Sequence, residues 1–239
     1  MRPALLISLR DPSDPMAEQE RQCFAETSCH PVELCSAVGR IVPRDILEDR
    51  PAVFFGGSGA YSVLDKHDWI KGMLDLLVHT ADARIPAYAS CFGFQGLALA
   101  MGGTVTRDDS RQELGAYPIA LTPQASEDAL FRQLPQQFFA QLGHHDHVDV
   151  LPTGVTLLAT GEISHHQAFK VDDAPFWASQ FHPELTKATT YARFLHYLDH
   201  YADDPETAAR IDAEMRAMPE TKEPAVLLRE LVELGLSRG

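Results

Sequence analysis

The sequence is poor in positive charge. Across 239 residues, 20 Lys and Arg stand against 34 Asp and Glu, a formal net charge of −14 with neutral His. A nucleic-acid backbone is held by a basic face, so this balance points away from nucleic acid and toward small molecules or a protein partner. Long apolar runs are lacking too. No stretch approaches the roughly 18 apolar residues of a membrane-spanning helix, so no membrane partner is expected. The opening MRPALLISLRDPSDP holds an apolar stretch of only about five residues, too short for a signal-peptide core. It reads as a first strand, and the cytoplasm is the expected location. Cysteine is sparse: Cys23, Cys29, Cys35 and Cys91. A reducing compartment leaves disulfides out. The six-residue spacing of the first three fits no metal-ligand pattern, so they are expected as buried or helix-face thiols.

What is present is ordinary for a folded chain. Hydrophobic residues make up 45% and charged residues 23%, which excludes a disordered chain. The length suits one domain with an appendage. We expect a domain over 1–201 and a helical extension over 202–239, packed on the domain or at a subunit contact. The extension's pattern is broken at Pro219 and Pro224.

Along the chain, Pro3–Leu9 reads as a strand. A helix over Met16–Glu26 follows, capped by Asp14 with Pro15 in its first turn. Strands are expected at Val32–Cys35 and Ala52–Phe55, the second ending in Gly56-Gly57-Ser58-Gly59. Ile70, Met73, Leu74 and Leu77 give Lys66–Ala81 an apolar helical stripe. A strand over Ile85–Ser90 and a helix over Gly93–Met101 complete an alternation that implies a parallel sheet. Beyond Gly103 the pattern shifts to short strands, at 117–121, 137–142, 156–160 and 176–181, with a helix expected over Thr186–Tyr201. A small antiparallel patch is expected from residues 104–122. Trp69 and Trp177 read as core or rim, and the acidic run Asp199, Asp203, Asp204 and Glu206 as solvated surface.

The chemistry gathers at Tyr88-Ala89-Ser90-Cys91-Phe92-Gly93-Phe94-Gln95-Gly96. A strand runs into a small-residue turn with Cys91 at its tip, and a helix follows. That is the layout of a nucleophile elbow. The helix N-terminus favours the thiolate form of Cys91. His182, in Gln180-Phe181-His182-Pro183-Glu184, supplies a base. Glu184, two residues on, can fix its tautomer. Backbone N–H groups of the Gly57 loop and of Phe92 suit an oxyanion.

These residues resemble the class I glutamine amidotransferases of the Cys-His-Glu type, and most closely stand-alone chains akin to the amidotransferase domain of GMP synthase. The matching signatures are Phe-Gly-Gly-Ser-Gly at 55–59, Cys-Phe-Gly-Phe-Gln at 91–95 and Phe-His-Pro-Glu at 181–184. Gly102-Gly103, Glu113-Leu114-Gly115, His144 with Asp146, Leu151–Gly154 and Gln167-Ala168-Phe169 fit the same order. The match covers about residues 3 to 200. The chain departs from the family with Ala89 for Gly, Phe94 for His or Met, and Ser58 for Pro.

The resemblance implies an open, mostly parallel sheet with helices on both faces, flavodoxin-like in its three layers. It implies that Cys91 attacks the side-chain amide of L-glutamine, with His182 carrying protons and Glu184 orienting it. A γ-glutamyl thioester forms, ammonia leaves, and water releases glutamate. Gly57 and Phe92 would form the oxyanion hole. Gln95 would meet the amino-acid end of the substrate. Gly59 and, through backbone groups, His166, Gln167, Ala168 and Phe169 would line the pocket, and His144 and Asp146 would shape a loop beside it. No cofactor or metal is implied, and the ammonia acceptor would be a separate synthase partner.

Two other readings stay open. One is a γ-glutamyl peptidase or hydrolase acting on a γ-glutamyl compound with the same triad. The other is a catalytically degenerate binding module. His144, His145, Asp146 and His147, with His165 and His166, also present zinc-ligand types. We expect them in structural or pocket-lining roles.

Overall fold

The computed structural model describes residues 2–198, 202 and 204–238. In chain order the strands are β1 (Ala4–Ser8), β2 (Val32–Ser36), β3 (Val53–Phe55), β4 (Ala87–Ser90), β5 (Thr104–Arg107), β6 (Glu113–Leu121), β7 (Gln137–His144), β8 (Asp146–Val150), β9 (Val155–Thr160), β10 (His166–Val171) and β11 (Phe176–Ser179). The helices are α1 (Pro15–Ser28), α2 (Asp68–Asp82), α3 (Phe92–Ala100), α4 (Lys187–His196), α5 (Pro205–Ala217) and α6 (Val226–Leu236).

One nine-stranded sheet has the order β2-β1-β3-β4-β11-β10-β9-β6-β7. The pairs from β2 to β11 are parallel, and each later pair is antiparallel. Only β10 and β6 therefore run against the rest, and the sheet is mostly parallel in direction. The strands' period of two sorts its side chains into two cores. Leu5, Ile7, Phe55, Ala89, Phe176 and Ala178 meet Trp69, Met73 and Leu77 of α2 and Phe94 and Leu97 of α3. Ala4, Leu6, Phe54, Tyr88 and Trp177 meet Phe24 of α1 and Leu227, Leu228 and Leu231 of α6. Helices thus cover both faces, and α6 shares one core with the central strands.

Local rules explain several ends. Asp14 caps α1 by accepting from the Met16 N–H at 2.8 Å, with Pro15 opening the helix. Thr186 and Thr189 form a capping box at α4. The chain's expected helix over 186–201 is observed as Lys187–His196. Its expected end at Tyr201 lies outside the described residues, as do Asp199 and Asp203 of the acidic run. Cys23 and Cys35 are buried as expected. Cys29 is exposed instead, because α1 ends there in a left-handed turn.

The antiparallel patch is differently composed from the expectation. Only Thr104–Arg107 of 104–122 enters it, paired with β8. Residues 113–121 join the large sheet between β9 and β7. Long-range pairing decided this, since β6 is buried on alternate positions against β7. Trp69 and Trp177 are both core residues. Among the described residues, no helix is long and apolar enough to cross a membrane.

Candidate active site

Strand β4 ends at the carboxyl edge of the sheet, and Cys91 makes the corner into α3. Its backbone has φ 53° and ψ −103°, a conformation that non-glycine residues rarely hold. The corner is pinned on both sides. The Cys91 N–H donates to the Ser179 carbonyl at 2.8 Å, and its own carbonyl accepts from the Gln95 N–H at 3.0 Å. A Cβ on Gly93 would sit 3.0 Å from Phe55 and 3.1 Å from the Ala89 Cβ. The bare Gly93 is therefore what leaves room for Ala89 beneath the corner.

His182 follows β11 and is buried beside Cys91. Its Nδ1 meets Glu184 Oε1 at 2.7 Å, and its backbone N–H donates to the Gln141 carbonyl at 2.9 Å. Burial disfavours the imidazolium, but Glu184 and the neighbouring Cys91 outweigh it and raise the His182 pKa to about 9. Burial also works against the Glu184 carboxylate. His182 and Arg193 reverse that and hold it below its ordinary value. The second Glu184 oxygen accepts from the Ser90 hydroxyl at 3.2 Å. Cys23, by contrast, is pushed up to about 11 by burial and is an inert thiol.

Gly57 lies over both Cys91 and His182. A Cβ there would be 2.8 Å from His182 Cε1 and 3.6 Å from the Cys91 Cβ. Gly57→Ala should therefore displace the imidazole while the chain still folds. We expect kcat for glutamine hydrolysis to drop by about 10²-fold, as for an ångström-scale misplacement. A variant with near-normal kcat and an unchanged unfolding midpoint would contradict this.

Behind the triad lies a buried charge network that the sequence does not announce. Glu20, on α1, is fully buried. Its carboxylate faces Arg10 Nε at 3.5 Å and Arg193 Nη2 at 3.8 Å, and it accepts the Gly57 N–H at 3.2 Å. Arg193 Nη1 lies 3.7 Å from Glu184 Oε1, which ties the network to the triad. One signal is legible: Glu20 shares the helical stripe of Ala17 and Phe24, where an apolar residue is expected. The Gly57 N–H, expected in an oxyanion hole, is thus engaged by Glu20. The Phe92 N–H has no acceptor among the described residues.

A cavity of about 320 Å³ opens at Cys91 and Phe92. Gly59, Gln95, His144 and Asp146, all expected near the substrate, line it with Ser62, Arg107 and His145. Gln95 Nε2 donates to the Asp146 carbonyl at 2.7 Å and to Gln180 Oε1 at 3.1 Å. Both its hydrogens are therefore used, and its oxygen is the group left for a ligand. His144 is held by the Asp146 carbonyl at 2.8 Å and by Glu113 at 3.0 Å, so neither ring nitrogen is open.

His166, Gln167, Ala168 and Phe169 are not among the residues that line this cavity. They open β10, where pairing with β9 and β11 turns them into the sheet. Phe169 packs on Phe94 at 5.1 Å between ring centroids, and Ala168 is in the opposite core. His166 meets the Val148 carbonyl at 3.0 Å. Gln167 donates to Glu113 at 2.9 Å and so touches the pocket only through His144. No group of three or more metal-ligating side chains converges among the described residues.

A strand-loop-helix corner holding a cysteine beside a His-Glu pair, at the carboxyl edge of an α/β sheet, is the architecture of an α/β domain with a nucleophile-elbow layout. Within that class the chain belongs to the class-I glutamine amidotransferase family, whose model matches residues 41–197. It is 32% identical over 143 residues to a subunit of the glutamine-hydrolyzing GMP synthase of Sulfurisphaera tokodaii, covering 60% of this chain and 72% of that one. The corresponding subunit from Methanocaldococcus jannaschii is 32% identical over 115 residues, 48% of this chain and 57% of its own. The GMP synthase of Streptomyces avermitilis is 27% identical over 70% of this chain, which spans only 31% of that enzyme. Two solved structures share the fold. A glutamine amidotransferase of Thermotoga maritima gives a TM-score of 0.70 at 24% identity over 99% of both chains. One of Methylobacillus flagellatus gives 0.69 at 20% identity, over 99% of this chain and 90% of the other.

Proposed function

We propose that the chain hydrolyses L-glutamine to glutamate and ammonia through a γ-glutamyl thioester on Cys91. The observation that carries this is the buried His182–Glu184 pair beside Cys91, which itself lines an open cavity. The Cys91 sulfur attacks the side-chain amide carbon, and His182 delivers a proton to the departing nitrogen, so ammonia leaves. His182 then takes a proton from water as the water attacks the thioester, and glutamate is released with the thiol restored. Glu184 holds the imidazole through Nδ1, so that Nε2 faces the reaction. The Phe92 N–H is the first oxyanion donor. Gly57 supplies the second once its N–H turns from Glu20.

The names of the archaeal relatives speak of one subunit of a glutamine-hydrolyzing GMP synthase. By that likeness we assign the ammonia to a separate synthase partner, in a reducing cytoplasm that keeps Cys91 a thiol. A second reading, a γ-glutamyl peptidase or hydrolase with the same triad, is favoured by the cavity. Its volume of about 320 Å³ falls in the range of sites for ligands larger than one amino acid. The test is release of glutamate from L-glutamine and from γ-glutamyl dipeptides, measured side by side. Turnover of glutamine supports the first reading, and turnover of dipeptides alone moves the protein to the second.

A further inference from the structure

Arg107 ends β5, directly opposite Asp146 of β8 in the register of the small sheet. Its Nε meets Asp146 Oδ1 at 3.0 Å. The other Asp146 oxygen accepts from the Ser62 hydroxyl, so the carboxylate that steers Arg107 is itself held. Asp146 is buried, whereas the Arg107 side chain is 58% exposed. Nothing among the described residues engages its Nη1 or Nη2. Both Arg107 and Cys91 line the same cavity, and among its lining residues Arg107 alone carries a fixed positive charge. The result is a guanidinium held through Nε on the wall of the cavity that Cys91 also lines, with its two-nitrogen fork unengaged. Such a fork matches a carboxylate in two parallel hydrogen bonds.

We infer that Arg107 anchors the α-carboxylate of the substrate, so that the site takes γ-glutamyl compounds whose α-carboxylate is free. The inference rests on the glutamine-hydrolysis reading and deepens it. The Nε–H that Arg107 donates to Asp146 lies on a side edge of the guanidinium, so the outward N–H groups of Nη1 and Nη2 stay available. The same recognition serves a γ-glutamyl peptide, since extension at the γ-amide leaves the α-carboxylate untouched. It disfavours compounds in which that group is capped.

The test compares wild type and Arg107→Gln with L-glutamine and with its α-amide, in which the carboxylate is neutral. The readout is the concentration of each that half-protects Cys91 from iodoacetamide, referred to each protein's own unprotected rate. We expect the wild type to need about tenfold to a hundredfold more of the α-amide than of glutamine, as for loss of a charge-assisted bond pair. In Arg107→Gln the two concentrations should nearly coincide, with KM for glutamine raised by a similar factor and kcat changed far less. An equal preference for the free carboxylate in both proteins would overturn the assignment and leave glutamine hydrolysis standing. Failure of L-glutamine to protect wild-type Cys91 would remove the hydrolysis reading itself, and the inference with it.

Discussion

Replacing Cys91 with alanine should abolish release of ammonia and glutamate from L-glutamine, by roughly 10⁴-fold or more. Removing the nucleophile of a covalent mechanism costs about that much, because the neighbouring groups have nothing left to activate. The fold should survive, since alanine fits the corner where Cys91 now sits. Cys91→Gly should lose activity equally but gain stability. The φ of 53° with ψ −103° is costly for any side chain bearing a Cβ and open to glycine. Relief of that strain, less the entropy glycine loses on folding, should leave a gain on the order of 1 kcal/mol. Glutaminase assays beside denaturant unfolding of both variants would check this. Residual turnover in Cys91→Ala would move the nucleophile elsewhere. A Cys91→Gly variant less stable than wild type would show that the corner is unstrained.

Glu184→Gln should reduce turnover by about 10³- to 10⁴-fold while leaving the chain folded. A glutamine amide can present its NH₂ to Nδ1 and stabilise the wrong imidazole tautomer, an error of about that size in a triad. It also removes the charge that raises His182 to about 9. The sign for stability follows from that shift. A histidine whose folded pKa is raised binds its proton more tightly when folded. Its contribution is fully present below the unfolded value near 6.5 and is lost as pH rises through about 9. Glu184 is shifted the other way. Its contribution is present above the ordinary carboxylate range and is lost as pH falls through its depressed value. Wild-type unfolding free energy should therefore decline between about pH 6.5 and 9, and that decline should flatten in Glu184→Gln. A slope that persists in the variant would detach the titration from this pair. Near-normal turnover would remove Glu184 from the triad.

Much of the first hundred residues was legible in sequence because its signals are local. Asp14-Pro15 starts α1 by the capping rule, and the apolar stripe of α2 follows helical spacing. Cys91 could be placed at a corner because a strand, small residues and a helix pattern lie together there. The His182–Glu184 spacing likewise needs only two residues to bring carboxylate and ring within 2.7 Å. β8 and β10 were not legible, and β5 only as part of the antiparallel patch expected over 104–122. Thr104–Arg107 and Asp146–Val150 carry polar residues on both faces, and their pairing joins segments far apart in the chain. His166 and Gln167 open β10 with polar residues, and the side chains of Ala168 and Phe169 are buried in the two cores.

The sequence by itself determined the layered α/β order and the placing of Cys91, His182 and Glu184, because periodicity, capping and short spacings act over a few residues. Only the tertiary structure decided which charges would be buried and what each would face. Glu20 meets Arg193 and the Gly57 N–H, and Arg107 is aimed by Asp146, across separations that no local pattern spans. A buried charge is tolerated only where the fold brings its partner to it. The identity of that partner is therefore a property of the packed molecule, not of the segment that carries the charge.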